Sequence, residues 1–241
     1  DEFILKELPV CVDMPRNLVL LLLIVTPLDS RCVKKCKAVN LDVVLALDSS
    51  SSVRDYFQTD IIPFAKDVAS RFDISNGRVR FGIIDFSIEV RVDVGLGNCT
   101  DQQCLDTAIE TIEAPSGATC TGDAIRNAMD MLDADTNAQG PNRVKIAVIV
   151  TDGVESCSPL VAAPATAPPS TVPAKSAAAW AAGIEMYAIA VGNQTDVDKA
   201  DMNAIANYTA DHVLAVDSYS VLDSALVDIL QQKICQKASN A

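Results

Sequence analysis

Three short stretches of the chain carry oxygen donors at spacings that suit a metal ion. Asp48, Ser50 and Ser52 form D-x-S-x-S directly after the apolar run Leu41–Leu47. Thr119 sits in Gly117-Ala-Thr-Cys-Thr-Gly122, just ahead of a helical pattern. Asp152 sits in Thr151-Asp-Gly153, after the apolar run Val144–Val150. Carboxylates and hydroxyls without imidazole or thiolate are hard ligands, suited to Mg²⁺, Mn²⁺ or Ca²⁺. The same groups lack what catalysis needs. A nucleophilic serine requires a base beside it, and the only histidine in the chain is His212. A two-metal phosphatase needs more carboxylates and usually histidines, and no G-x-x-x-x-G-K phosphate loop is present. The residues point to binding and not to an enzyme.

Composition narrows the partners. Lys and Arg number 19 against 32 Asp and Glu, a net charge of −13. Nucleic acid needs a basic face that displaces counterions, so it is excluded as a partner, while cations and basic surfaces suit. With 241 residues, 49% of them hydrophobic, the chain can bury one large domain, or an ordinary domain with an extension. Eight cysteines (11, 32, 36, 99, 104, 120, 157, 235) lack the C-x-x-C spacing of zinc sites and read as disulfides of an oxidising compartment. Acceptor triplets for N-glycosylation begin at Asn98, Asn193 and Asn207.

The apolar run Leu18–Val25, after Arg16 and before Ser30, is similar to a secretory signal peptide and too short to span a membrane. Thirteen residues precede Met14, and Asp1, Glu2, Glu7 and Asp13 among them are foreign to such signals. A buried strand or a hydrophobic helix is the competing reading. Residues 1–37 are therefore set apart as an N-terminal extension, and the chain is expected to be secreted.

The elements that must position the donors follow from periodicity. Leu41–Leu47, Val144–Val150 and Ile184–Val191 are continuous apolar runs of buried-strand length. Residues 78–94 read as two strands with a turn near Ser87, and His212–Val216 as a further strand. Helical patterns run through Phe57, Ile61, Phe64, Ala65, Val68 and Phe72, and over 101–112, 121–132, 174–182 and 197–206. A last helix spans Val221–Ile234, with Val221, Leu222, Ala225, Leu226, Ile229 and Leu230 as its apolar stripe. Residues 158–173, rich in Pro and Ala, read as a flexible insertion. Strands alternating with helices mean a mostly parallel sheet covered on both faces, with ligands bound where loops leave the strands' carboxyl ends. Near that rim, Asp123 reads as helix N-terminal charge and Glu155 as solvated loop. His212 reads as an ordinary strand-start residue and Trp180 as packing.

From about Val39 to Cys235 the chain resembles a von Willebrand factor type A domain, on the strength of its D-x-S-x-S, its Thr119 loop and its T-D-G together. The resemblance implies an α/β fold with a doubly wound, mostly parallel six-stranded sheet, one edge strand antiparallel and helices on both faces. The domain is placed at 38–236, with 237–241 as a tail. The implied metal shell of a metal-ion-dependent adhesion site is Asp48, Ser50, Ser52, Thr119 and Asp152, taking Mg²⁺ or else Mn²⁺ or Ca²⁺. The implied partner is an extracellular or matrix protein whose exposed acidic residue completes the shell, a collagen-like chain being one candidate. The alternative is a chiefly structural, acidic cation-binding component of a fibre or mineral matrix. Ala118, Cys120 and the 158–173 insertion depart from the family pattern; none removes a donor, and the last two reshape the rim.

Within such a fold the disulfides are expected as follows. Cys99 pairs locally with Cys104, and Cys120 with Cys157, since both follow loops of the metal shell. Both chain ends emerge at the opposite edge of the sheet, which favours Cys36 with Cys235 and leaves Cys11 for Cys32.

Overall fold

A computed structural model describes residues 40–134, 143–153, 155–157, 171–192 and 198–240, all within a compact unit that spans 35–241. The expected insertion, apart from 171–173, and the apolar run near the N-terminus lie outside the described residues.

Six strands form one sheet: β1 (Leu41–Asp48), β2 (Val79–Phe86), β3 (Val90–Val94), β4 (Val144–Thr151), β5 (Ile184–Val191) and β6 (Val213–Val216). Their order is β3-β2-β1-β4-β5-β6, parallel throughout except for the antiparallel edge pair β2–β3. Alternation along each strand supplies two cores. β1 sends Leu41, Val43, Leu45 and Leu47 to one face and Val44 and Ala46 to the other. Because both faces are covered, β1, β2 and β5 are buried along their whole lengths, and β1 and β5 read as apolar runs in the sequence for that reason.

Helices α1 (Arg54–Tyr56), α2 (Ile62–Ser70), α3 (Gln102–Glu110) and α7 (Ser224–Asn240) accompany the first face; α4 (Thr121–Ala134), α5 (Val172–Ala181) and α6 (Lys199–Ile205) cover the second. Between α1 and α2 the turn widens over Phe57–Ile61, closed by Ile62 N–H donating to Phe57 O. The cause is Pro63, which has no N–H to give the carbonyl four residues back.

Three boundaries differ from the sequence reading. α5 begins at Val172 with Pro173 in its first turn, a position that asks for no N–H, so the proline belongs to the helix and not to the insertion. α7 starts at Ser224 after a 3-10 turn at Tyr219–Val221, and runs on to Asn240 through most of the supposed tail. Its buried face is Leu222 of the preceding turn, then Leu226, Val227, Leu230, Ile234 and Ala238. Val221 and Ile229, assigned to the stripe, are 42% and 46% exposed, and Ala225 is exposed too.

The amino-terminal edge of the sheet is sealed by ions. Asp42, 2% exposed, accepts from Arg80 Nε at 2.8 Å and Arg80 Nη2 at 2.7 Å, and from Arg143 Nε at 2.7 Å. Arg143 also donates to the carbonyls of Leu41 and Arg78, so one cluster stitches β1, β2 and the start of β4. Removing one partner from a buried ion cluster strands the others. Asp42→Ala is expected to lower unfolding free energy by about 3–5 kcal/mol in urea titration. Glu110→Ala, which breaks an exposed pair with Lys66, should leave the midpoint close to that of the unaltered protein. Equal midpoints for the two variants would remove the cluster from its structural role.

Candidate metal centre

The carboxyl ends of β1 and β4 are neighbours, with Leu47 opposite Val150, so the loops that follow them meet. Asp48 closes β1 and is fully buried. Its Oδ1 accepts from Ser50 N–H at 2.9 Å, the turn by which an Asx residue bends its own chain. Its Oδ2 accepts from Thr151 Oγ1 at 2.6 Å, and Gly153 N–H donates to Thr151 Oγ1 at 3.1 Å, locking the two loops together. Ser50 Oγ lies 3.1 Å from Ser52 Oγ, and Ser52 Oγ donates to Asp152 Oδ1 at 2.9 Å.

The Thr119 loop is brought alongside by three ties. Ser156 and Thr119 exchange bonds, Thr119 N–H to Ser156 Oγ at 2.9 Å and Ser156 N–H to Thr119 O at 2.9 Å. Cys120 is bonded to Cys157, with Cα atoms 5.0 Å apart. A methyl group built on Gly153 would stand 3.1 Å from Thr119 Oγ1, so glycine lets the threonine close on the residue after Asp152. On the other side Ser51 N–H donates to Gly117 O and Gly117 N–H to Ser51 Oγ. The five residues singled out in the sequence thus come from three loops to one rim.

This donor set fits a small hard cation. In an octahedron with metal–oxygen distances near 2.1 Å, adjacent ligands stand roughly 3 Å apart. The Ser50–Ser52 and Ser52–Asp152 oxygen separations, 3.1 and 2.9 Å, are of that size. The electrostatics agree. Burial pushes Asp48 up to about 6, against the lowering effect of its bonds from Ser50 and Thr151. Burial also raises Asp152, offset by Ser52 and Tyr219. No Lys or Arg of the described residues is among the groups that shift either carboxylate, and a bound cation would relieve their burial. Among the described residues no group of three or more His, Cys, Asp or Glu gathers anywhere, so the donors at this rim are two carboxylates and the hydroxyls of Ser50, Ser52 and Thr119.

Several participants were not legible in the sequence. Tyr219, 5% exposed and stacked on Tyr56 at 5.1 Å, faces Asp152 from the turn before α7; burial and the two aspartates raise its hydroxyl. Glu155 is not the solvated loop residue expected. Its Oε1 accepts from Gly122 N–H at 3.2 Å and Thr171 Oγ1 at 2.8 Å, its Oε2 from Thr171 N–H at 2.6 Å and Val172 N–H at 3.3 Å. It caps the starts of α4 and α5 together, and a methyl on Gly122 would collide with Thr171 Oγ1. Ser49, fully buried, donates to Asp85 Oδ2 at 2.6 Å. Asp85 also accepts from Arg91 Nε at 2.8 Å, and Arg91 Nη2 reaches Glu113 O at 2.5 Å. Asp93 lies against Asp85, and burial with that neighbouring charge pushes its carboxyl up to about 7.

The remaining candidates are more ordinary. Asp123 sits in the first turn of α4, 3.4 Å from Arg126. His212 packs between Trp180 and Tyr187, at centroid distances of 5.7 and 4.6 Å, and Trp180 Nε1 donates to Ile205 O. Cys99 is bonded to Cys104. Cys235 is disulfide-bonded, while Cys11, Cys32 and Cys36 lie outside the described residues. Asn98 and Asn207 are exposed, and Asn193 lies outside the described residues. No described helix is long and apolar enough to cross a membrane.

The chain is similar to several known proteins. Human matrilin-3 is 31% identical over 207 residues, 83% of this chain and 38% of that protein. Cuticlin-6 of Caenorhabditis elegans is 30% identical over 216 residues, 86% of this chain and 33% of that protein. The chain therefore spans little more than a third of these relatives. Among solved structures, proximal thread matrix protein 1 from the mussel byssus superposes with a TM-score of 0.70 at 22% identity, covering 83% of this chain and 48% of that one. A further structure of that protein, with a zinc-occupied MIDAS motif, gives 0.69 at 23% identity, over 83% and 49%. The von Willebrand factor type A domain model matches residues 42–229, and the chain belongs to that family.

Proposed function

We propose that this chain is the binding module of a secreted, extracellular matrix protein, and that a divalent cation at its rim takes a carboxylate from a protein partner. The observation that carries the reading is the Ser50–Ser52–Asp152 set of oxygens at ligand-edge separations, backed by the buried and otherwise uncompensated Asp48. Ser50 and Ser52 coordinate directly, with Thr119 or Asp152, while Asp48 orients the serine loop and holds metal-bound water. Mg²⁺ is the expected ion, with Mn²⁺ or Ca²⁺ as substitutes; the zinc-occupied motif of the mussel thread protein supports a divalent site of this kind. The bound cation would offer an open position to an incoming oxygen, while the serines have no histidine partner and Asp48 and Asp152 would be engaged by the cation, which favours binding over catalysis. A net charge of −13 repels acidic surfaces. The partner therefore presents its carboxylate from a neutral or basic surface. The matrix assignment draws on the matrilin, cuticlin and collagen chains among the relatives.

Calorimetric titration with Mg²⁺ should show one site, weakened at least tenfold in Asp152→Ala and in Thr119→Ala; full affinity in both variants would end the assignment. Saturation at about 100 times Kd should add about 2.7 kcal/mol of stability, visible as a higher Tm that chelator reverses. A pulldown from native matrix should retain a partner in Mg²⁺ and lose it in chelator or with Asp48→Ala. Retention in chelator would favour a structural role for the acidic surface instead.

Acid should weaken the metal. Because the folded protein holds Asp48 at about 6, protons compete with the cation below that pH. Mg²⁺ affinity is expected to be level above pH 7 and to fall by up to about tenfold per unit beneath pH 6. A profile level down to pH 4.5 would mean that Asp48 takes no part in binding.

A further inference from the structure

The upper half of β2 is apolar on both faces except at Asp85, a carboxylate with no solvent exposure. Burying such a charge is costly unless its lone pairs are filled, and the groups that fill them lead to the metal loops. Ser49 stands between two of the proposed donors, Asp48 and Ser50. Its hydroxyl is tied to Asp85 at 2.6 Å, its N–H donates to Phe86 O at 2.8 Å, and its carbonyl accepts from Ser116 N–H at 3.1 Å. With Ser49 held at three points, the directions of the residues on either side of it are set. Arg91 carries the restraint further. One of its nitrogens holds Asp85 and another holds Glu113 O, in the segment that leads to Thr119. Asp93 presses on the same carboxylate from β3, and one of its own oxygens is buried without a hydrogen-bond partner.

We propose that Asp85, acting with Ser49 and Arg91, is a positioning residue for the metal site, aiming the serine loop and the Thr119 loop at the cation without touching it. The proposal rests on the reading of the rim as a metal centre, and it assigns a role to residues outside the donor set. Outer groups that orient metal ligands affect affinity on the order of 10–100-fold when removed, whereas a brace that serves the fold alone leaves the folded protein's metal affinity intact.

The test is Mg²⁺ calorimetry on folded, full-length variants, with Tm in chelator measured in parallel. Ser49→Ala and Arg91→Gln should each weaken Mg²⁺ about tenfold. Arg91 is 42% exposed, so its variant keeps the test available if Asp85→Ala does not fold. Asp85→Asn, which retains an acceptor for Ser49, should lose less than Asp85→Ala. The double variant Ser49→Ala/Asp85→Ala should bind no worse than Asp85→Ala alone, because both act through one bond. Wild-type affinity in folded Ser49→Ala and Arg91→Gln, or additive losses in the double variant, would overturn the proposal. The underlying reading fails separately: a wild-type protein that binds no Mg²⁺, or an Asp152→Ala variant that binds it fully, removes the metal centre itself and this role with it.

Discussion

Two carboxylates, Asp48 and Asp152, end in the same small space at the edge of a sheet that is buried on both faces, and among the described residues no basic side chain answers them. Much of the surrounding architecture manages that charge. Hydroxyls from Ser52 and Thr151 and the N–H of Ser50 donate into it. The opposite edge of the same sheet shows the other solution. There Asp42 is equally buried but is met by Arg80 and Arg143. One end is neutralised by the chain itself and is rigid. The other holds its carboxylates with hydroxyls and a backbone N–H alone, which is what supports the proposal that a cation binds there.

The parallel sheet forces this division. Its interior takes mostly apolar side chains from helices on both faces, so most polar groups collect where strands stop. Short loops then hold them in place through backbone bonds, as at Ser51 with Gly117 and at Thr119 with Ser156. Glycines appear where backbones must come close. Gly122 and Gly153 each face a threonine side chain at a distance that a methyl group would crowd.

Most of the fold was legible in the sequence, because β1, β4 and β5 are continuous apolar runs and β2–β3 are divided by a clear turn. The gathering of the proposed donors at one rim was legible too, since each of them lies at the end of a strand or just before a helix. What escaped notice depended on distance along the chain. Ser49 and Asp85 are 36 residues apart, and the one local sign was an aspartate inside the apolar Gly82–Phe86 stretch. Glu155 looked like loop because its partners, Gly122 and Thr171, are adjacent only in space. The stripe of α7 was misassigned for a different reason. Val221, Ala225 and Ile229 repeat with the same period as Leu222, Leu226 and Leu230, one residue or about 100° around the helix. Periodicity alone gives no preference between two such stripes, and Leu226, Val227, Leu230 and Ile234 won because they lie over the sheet.

Glu155 has one more consequence. With Cys157 bonded to Cys120 and Thr171 bound to Glu155, the residues on either side of 158–170 are anchored independently of whatever joins them. Closing a connection whose ends are already fixed adds only a fraction of a kcal/mol for each doubling of its length. The stretch can therefore lengthen, shorten or change composition over evolutionary time with little effect on the oxygens beside it. That makes it the natural place for one member of the family to diverge from another while the rim chemistry is inherited unchanged.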